Sequence, residues 1–130
     1  MCLFVSGNTL QRRALLVEDD QSLQIAMRYL MENLGFDLVA AETREDAART
    51  IADGPYDIAI VDYYLRNVPS SDLIADMRRR FPRMPIICST AARRETLQLD
   101  DDTLLRPDAF LYKPFEAREL RELINSLVAV

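Results

Sequence analysis

The stretch Asp57-Ile58-Ala59-Ile60-Val61-Asp62 decides the fold of this chain. Four consecutive apolar residues, mostly β-branched, are too few for a buried helix. They suit a strand covered on both faces, as in the middle of a parallel sheet. Asp62 then stands where that strand ends. In open α/β sheets ligands bind beyond the carboxyl ends of the strands, so a carboxylate leaving a central strand there points into the natural site. Taken alone, Asp62 reads more readily as a turn or cap residue. The other strand ends overturn that reading.

Upstream, residues 13–17 read as a buried strand running into Glu18-Asp19-Asp20. Three adjacent carboxylates repel one another unless something positive sits among them. A first helix carries Leu23, Met27, Leu30 and Leu34 on one face and stops at Gly35, a residue suited to the left-handed position after a helix. Residues 37–41 make a short strand, and Thr43 with Asp46 predicts a capping box opening a helix through Ala47, Ala48 and Ile51. Gly54-Pro55 closes that helix. Downstream of Asp62 an irregular loop leads to a helix through Leu73, Ile74 and Met77 that ends before Pro82. Residues 85–90 give a fourth strand and residues 109–113 a fifth. The last helix turns Leu120, Leu123, Ile124 and Leu127 to one face, with Arg118 and Glu122 paired on the other. The fourth helix is the hardest to delimit, because Pro107 biases Arg106 away from helical geometry and forces an end near Leu105.

Strand and helix thus alternate five times. Short strands joined by amphipathic helices specify an α/β, doubly wound (βα)5 fold with a parallel five-stranded sheet and right-handed crossovers. The flavodoxin-like order 2-1-3-4-5 is expected, since it sets the first and third strands side by side at the switch point. The expected organisation is a frayed leader over residues 1–12 and one domain over residues 13–130.

The 130 residues are 49% hydrophobic and 28% charged, the balance of a globular chain long enough to bury a core. No apolar run is long enough to span a membrane, and the apolar start lacks the basic flank of a signal peptide. The cytoplasm is the expected location. Cys2 and Cys88 form no metal or redox spacing and read as reduced structural thiols. A net charge of −5 argues against direct nucleic-acid binding. The absence of histidine removes His-based triads, His metal sites and a phosphohistidine on this chain.

This fold would gather Glu18 and Asp19, Asp62, Thr90 and Lys113 at one rim. Converging carboxylates call for a cation, and hard oxygen ligands point to Mg²⁺. A hydroxyl from Thr90 and an ammonium from Lys113 supply further donors for a phosphoryl group, so the site looks built for phosphate chemistry on Asp62. Lys113 is the only lysine beside fifteen arginines, a departure from the chain's habit of using Arg for surface charge. The alternative for Lys113 is a surface lysine at a strand end.

In Leu16-Val17-Glu18-Asp19-Asp20, Ile60-Val61-Asp62, Ile87-Cys88-Ser89-Thr90-Ala91 and Lys113-Pro114-Phe115 the chain resembles a response-regulator receiver domain of two-component signalling, of the chemotaxis-regulator kind. The resemblance implies that Asp62 is the phosphoacceptor and that Asp19 binds Mg²⁺ directly with Glu18 helping. It further implies that Tyr64 offers its backbone carbonyl to the metal, that Thr90 hydrogen-bonds the phosphoryl group and that Lys113 pairs with it. Thr90 and Phe110 would form the switch, Phe110 standing where the family often has Tyr. The chain also departs from the family where Arg66 and Ser70 replace its usual Pro and Gly after the acceptor, and where Arg106-Pro107-Asp108 stands in place of a common Gly.

The expected function is therefore a phosphorylation-controlled binding module, not a turnover enzyme. Its expected partners are a sensor histidine kinase or histidine phosphotransfer protein and a downstream protein meeting the face of the fourth helix, fifth strand and last helix. The acidic block Asp100-Asp101-Asp102 would mark that face, and the resemblance allows a phosphorylation-dependent dimer. One rival is a pseudo-receiver that binds partners without phosphorylation. Another is a small Mg²⁺-dependent phosphohydrolase working through an aspartyl-phosphate, disfavoured because Tyr64 stands where its second Asp belongs.

Overall fold

The computed structural model describes residues 11–91 and 107–128. Nearly all of the expected leader, Cys2, the fourth helix and Asp100-Asp101-Asp102 lie outside the described residues. Strand β1 (Arg12–Val17) lies between β2 (Phe36–Ala41) and β3 (Ile58–Asp62), and the sheet continues through β6 (Ile86–Thr90) to β7 (Ala109–Tyr112). All four pairings are parallel. The order β2-β1-β3-β6-β7 is the expected 2-1-3-4-5 when only the strands of this sheet are counted.

Helices cover both faces because successive strand residues point opposite ways. Met27 and Met31 of α1 (Gln21–Asn33) and Leu120 and Ile124 of α4 (Ala117–Leu127) pack with Leu16, Ile60 and Ile87. Ile51 of α2 (Arg44–Ala52) and Ile74 and Met77 of α3 (Ser71–Arg80) pack with Leu15, Val61 and Cys88 on the other face. Every residue of β3 and β6 is buried. Each fully buried Ile or Val contributes about 1.5–3 kcal/mol of transfer free energy, so the two middle strands hold their ends in fixed positions.

The helix ends follow local chemistry. Asp20 caps α1 by accepting from the N–H groups of Ser22 (2.9 Å) and Leu23 (3.3 Å), and Gly35 after it has φ +91°. The capping box at α2 is half formed: Thr43 Oγ1 accepts from the Asp46 N–H at 3.1 Å, while the Asp46 carboxylate pairs with Arg49. Ala48 faces outward, unlike Ala47 and Ile51. Arg118 and Glu122 are both exposed and form no ion pair with each other among the described residues, as suits two long side chains in water. Burial first, and the nearby Asp62 charge second, push the Cys88 thiol up to about 12, which fits a structural thiol.

The main departure is the segment after Asp62. Instead of an irregular loop it forms a small antiparallel hairpin, β4 (Tyr64–Leu65) with β5 (Val68–Pro69). Its two turn residues, Arg66 and Asn67, have φ of 52° and 66°. Positive φ at both central positions is the type I′ geometry that matches strand twist, and it is usually reached with Asn and Gly. Asn tolerates it; Arg at this position costs roughly 1–2 kcal/mol.

Candidate functional site

The acidic run after β1 divides by role. Asp20 turns outward to cap α1, Asp19 is half-buried, and Glu18 is fully buried at 1% exposure. Both Glu18 carboxylate oxygens are engaged: Oε1 accepts from Lys113 Nζ at 3.0 Å and Oε2 from the Asp20 N–H at 3.1 Å. Gln24 of α1 donates to the Glu18 carbonyl at 2.5 Å, fixing that turn. Asp62, also buried, lies with one carboxylate oxygen 3.4 Å from Lys113 Nζ. The structure thus brings Glu18, Asp19 and Asp62 together, with ligand oxygens all within 4.8 Å of one another, and seats Lys113 between two of them.

Electrostatics follow from the count. Three carboxylates meet one ammonium, so the cluster keeps surplus negative charge in a partly dry cleft. Burial, opposed by the Lys113 hydrogen bond and reinforced by the Asp62 charge, raises Glu18 to about 7. Asp62 is raised by the same burial, against the pull of Lys113. Burial favours the neutral amine at Lys113, yet its contacts with Glu18 and Asp62 outweigh this and raise it. A donor set of hard oxygens with unbalanced negative charge fits a divalent cation such as Mg²⁺. These three carboxylates can hold such an ion.

Thr90 is buried at the end of β6, and its carbonyl accepts from the Lys113 N–H at 2.8 Å, which ties the two strand ends. Ser89 is in register with Asp62, Thr90 with Tyr112 and Cys88 with Phe110. Phe110 therefore stands two residues short of Thr90's register partner rather than at the strand end beside Thr90. Its half-buried ring stacks on Tyr112 at 6.0 Å. Tyr64 opens β4, two residues past Asp62, with its ring edge-on to Tyr63. Pro114 follows Lys113 through a cis peptide.

Sequence reasoning marked Ser70 and Arg66 only as departures from the family and did not single out Arg44; it anticipated the contacts of none of the three. Ser70 is fully buried, and its hydroxyl donates to the Asp62 carbonyl at 2.8 Å, while its N–H donates to the Tyr63 carbonyl at 2.7 Å. Ser70 is the N-cap of α3, but its hydroxyl makes no cap bond. The Arg66 N–H donates to Asp19 Oδ2 at 3.0 Å. Arg44 reaches across from α2 to both oxygens of Asp72 (2.6 and 2.7 Å) and to the carbonyls of Val68 (3.3 Å) and Pro69 (2.5 Å). No local pattern announces the Arg44 contacts, which join its guanidinium to carbonyls 24 and 25 positions away.

Comparison with known proteins agrees with this geometry. The family model of the response regulator receiver domain matches residues 14–125. The chain is 30% identical over 114 residues to the response regulator protein FleR of Pseudomonas aeruginosa, covering 86% of this chain and 24% of FleR. It spans about half the length of several other curated relatives. Among solved structures it is similar to the receiver domain of a sensor histidine kinase from Pseudomonas aeruginosa PAO1, at 25% identity and TM-score 0.75, covering 92% of this chain and 99% of that one. That structure has a magnesium ion coordinated in its active site cleft. A response regulator, TrrA of Thermotoga maritima, solved in complex with the histidine kinase ThkA, shares the fold at TM-score 0.76 and 23% identity, covering 92% of this chain and all of the matched one. By its matched residues, its sheet order and its strand-end cluster, this chain belongs to the response regulator receiver domain family.

Proposed function

We propose that this chain is a phosphoacceptor receiver domain, phosphorylated on Asp62 by a histidine kinase or phosphotransfer protein and signalling through a surface that changes with that event. The observation that carries the reading is Lys113 Nζ lying 3.0 Å from Glu18 and 3.4 Å from Asp62, at the end of the buried central strand. A carboxylate held beside an ammonium and further acids is arranged to receive charge, not merely to cap a loop.

In the proposed step an ionised Asp62 oxygen attacks the phosphorus of a phosphohistidine. A P–O bond forms, the P–N bond breaks, and its electron pair leaves with the imidazole nitrogen of the donor. Lys113 then pairs with the transferred oxygens and Thr90 donates its hydroxyl to them; Asp19, Asp62 and the Tyr64 carbonyl, with Glu18 helping, would hold Mg²⁺. When bound, the ion supplies positive charge against the phosphoryl oxygens. Asp62 acts once per cycle on itself, so this is signalling chemistry and not turnover of a substrate. The domain is read as extending from about residue 13 to the C-terminal helix.

The hairpin carrying Arg66, with Ser70 directly after it, in place of the family's Pro and Gly favours the second reading, a pseudo-receiver that binds partners unphosphorylated. One measurement separates the two. Incubation with acetyl phosphate and Mg²⁺, read by intact mass, should add one phosphoryl group to the chain and none to Asp62→Asn. Uptake that survives Asp62→Asn, or that needs no divalent metal, overturns the assignment; no uptake at all favours the pseudo-receiver.

A further inference from the structure

We propose that Arg44 is a positioning residue for the metal-side carboxylate Asp19, acting through the hairpin that follows Asp62. The proposal rests on the reading of the acidic cluster as a Mg²⁺ site and extends it to residues outside the cluster.

The argument begins with the turn. Arg66 and Asn67 both hold positive φ, a conformation that persists only where the surroundings impose it. The two-residue strands β4 and β5 supply little pairing of their own, and β5 is exposed. What fixes them comes from outside. Leu65 is buried in the core, the Ser70 hydroxyl holds the Asp62 carbonyl at 2.8 Å, and the Arg44 guanidinium grips the Val68 and Pro69 carbonyls while bound to both Asp72 oxygens. One planar fork therefore joins the start of α2, the second hairpin strand and the first turn of α3. Lysine, a compact point charge, cannot make that set of contacts.

The consequence lies at the turn itself. With β5 fixed, the Arg66 N–H is delivered to Asp19 Oδ2 at 3.0 Å. That bond engages one oxygen of Asp19 and restrains the rotation of a carboxylate that offers an oxygen to the cluster with Glu18 and Asp62. A ligand orientation fixed by an outer hydrogen bond is worth about 10–100-fold in metal affinity where such bonds have been removed. The Arg44–Asp72 pair itself is a surface pair, with Asp72 two-thirds exposed, so it adds little to global stability. Its effect on Asp19 can accordingly be separated from its effect on folding.

The test uses wild type, Arg44→Gln, Asp72→Asn and, as a control on the same helix away from the hairpin, Arg49→Gln. Two readouts are taken: Mg²⁺ affinity by titration calorimetry, and hydrogen exchange of the Arg66 amide in metal-free protein. Arg44→Gln should weaken Mg²⁺ binding several-fold or more and speed Arg66 exchange at least tenfold, with unfolding temperature nearly unchanged. Asp72→Asn should show smaller changes of the same sign, since Arg44 keeps its carbonyl contacts, and Arg49→Gln none. Arg66 exchange unaltered in Arg44→Gln overturns the proposal, as does faster exchange with wild-type Mg²⁺ affinity. If wild type itself binds no Mg²⁺, the reading of the cluster fails and the proposal with it, an outcome distinct from failure of Arg44 alone.

Discussion

Glu18 is the most sharply perturbed acid of the site, and its environment predicts a pH dependence. Buried beside Asp62, it holds its proton up to about 7, against an ordinary value of 4.5. A carboxyl raised in the folded state binds more protons folded than unfolded over that interval, so its contribution to stability is complete below 4.5 and is lost as pH rises through about 7. A cation in the cluster prefers the ionised carboxylate, so the proton and the metal compete. Mg²⁺ affinity should fall on acidification from pH 8 to pH 6, with protons released on binding near neutrality; calorimetry in buffers of different ionisation enthalpy measures both. Affinity independent of pH over that range would show that Glu18 is not part of the metal's surroundings. That Glu18, Asp19, Asp62 and Lys113 come together was legible in the sequence because each follows an apolar run, where this topology gathers polar groups. Ser70 and Arg44 were not, because both act on backbone carbonyls, which leave no mark in a residue pattern.

At the scale of elements, the five strands of the sheet were readable to within a residue or so from apolar runs alone, and α1, α3 and α4 from periodic faces ending at Gly35, Pro82 and the chain's last apolar stripe. The hairpin was not. Its strands are two residues long, too short for alternation to register, and its turn lacks the Gly that marks a type I′ connection. That absence yields a prediction. Asn67→Gly removes the side chain from a residue at φ 66° and should raise stability by roughly 0.5–1 kcal/mol, seen as a higher urea midpoint with unchanged slope. A loss of stability would mean that Asn67 holds the turn through its side chain rather than by tolerating its backbone.

Across the whole molecule, two helical layers enclose a sheet whose carboxyl edge carries the proposed chemistry, and no helix among the described residues is long and apolar enough to cross a membrane. On the proposed reading, a signal written at Asp62 would have to reach the far strands to be read. The route is short: Asp62 pairs in register with Ser89, Tyr63 N–H donates to the Ser89 carbonyl, and the Thr90 carbonyl receives the Lys113 N–H beside Tyr112. Drawing the Thr90 hydroxyl toward a phosphoryl group would vacate space on the face that holds the Phe110 and Tyr112 rings, a shift that close packing makes two-state. Amide shifts recorded with and without beryllofluoride should therefore change at Phe110 and Tyr112 as well as around Asp62. Changes confined to the segments flanking Asp62, Asp19 and Arg66 would reject this route. The lone lysine gives the experiment a probe that few proteins offer. Because Lys113 is the one residue of its type and its ammonium lies between Glu18 and Asp62, feeding ¹⁵N-lysine labels a single side-chain nitrogen, and the spectrum of that one spin becomes a direct readout of what the cleft holds.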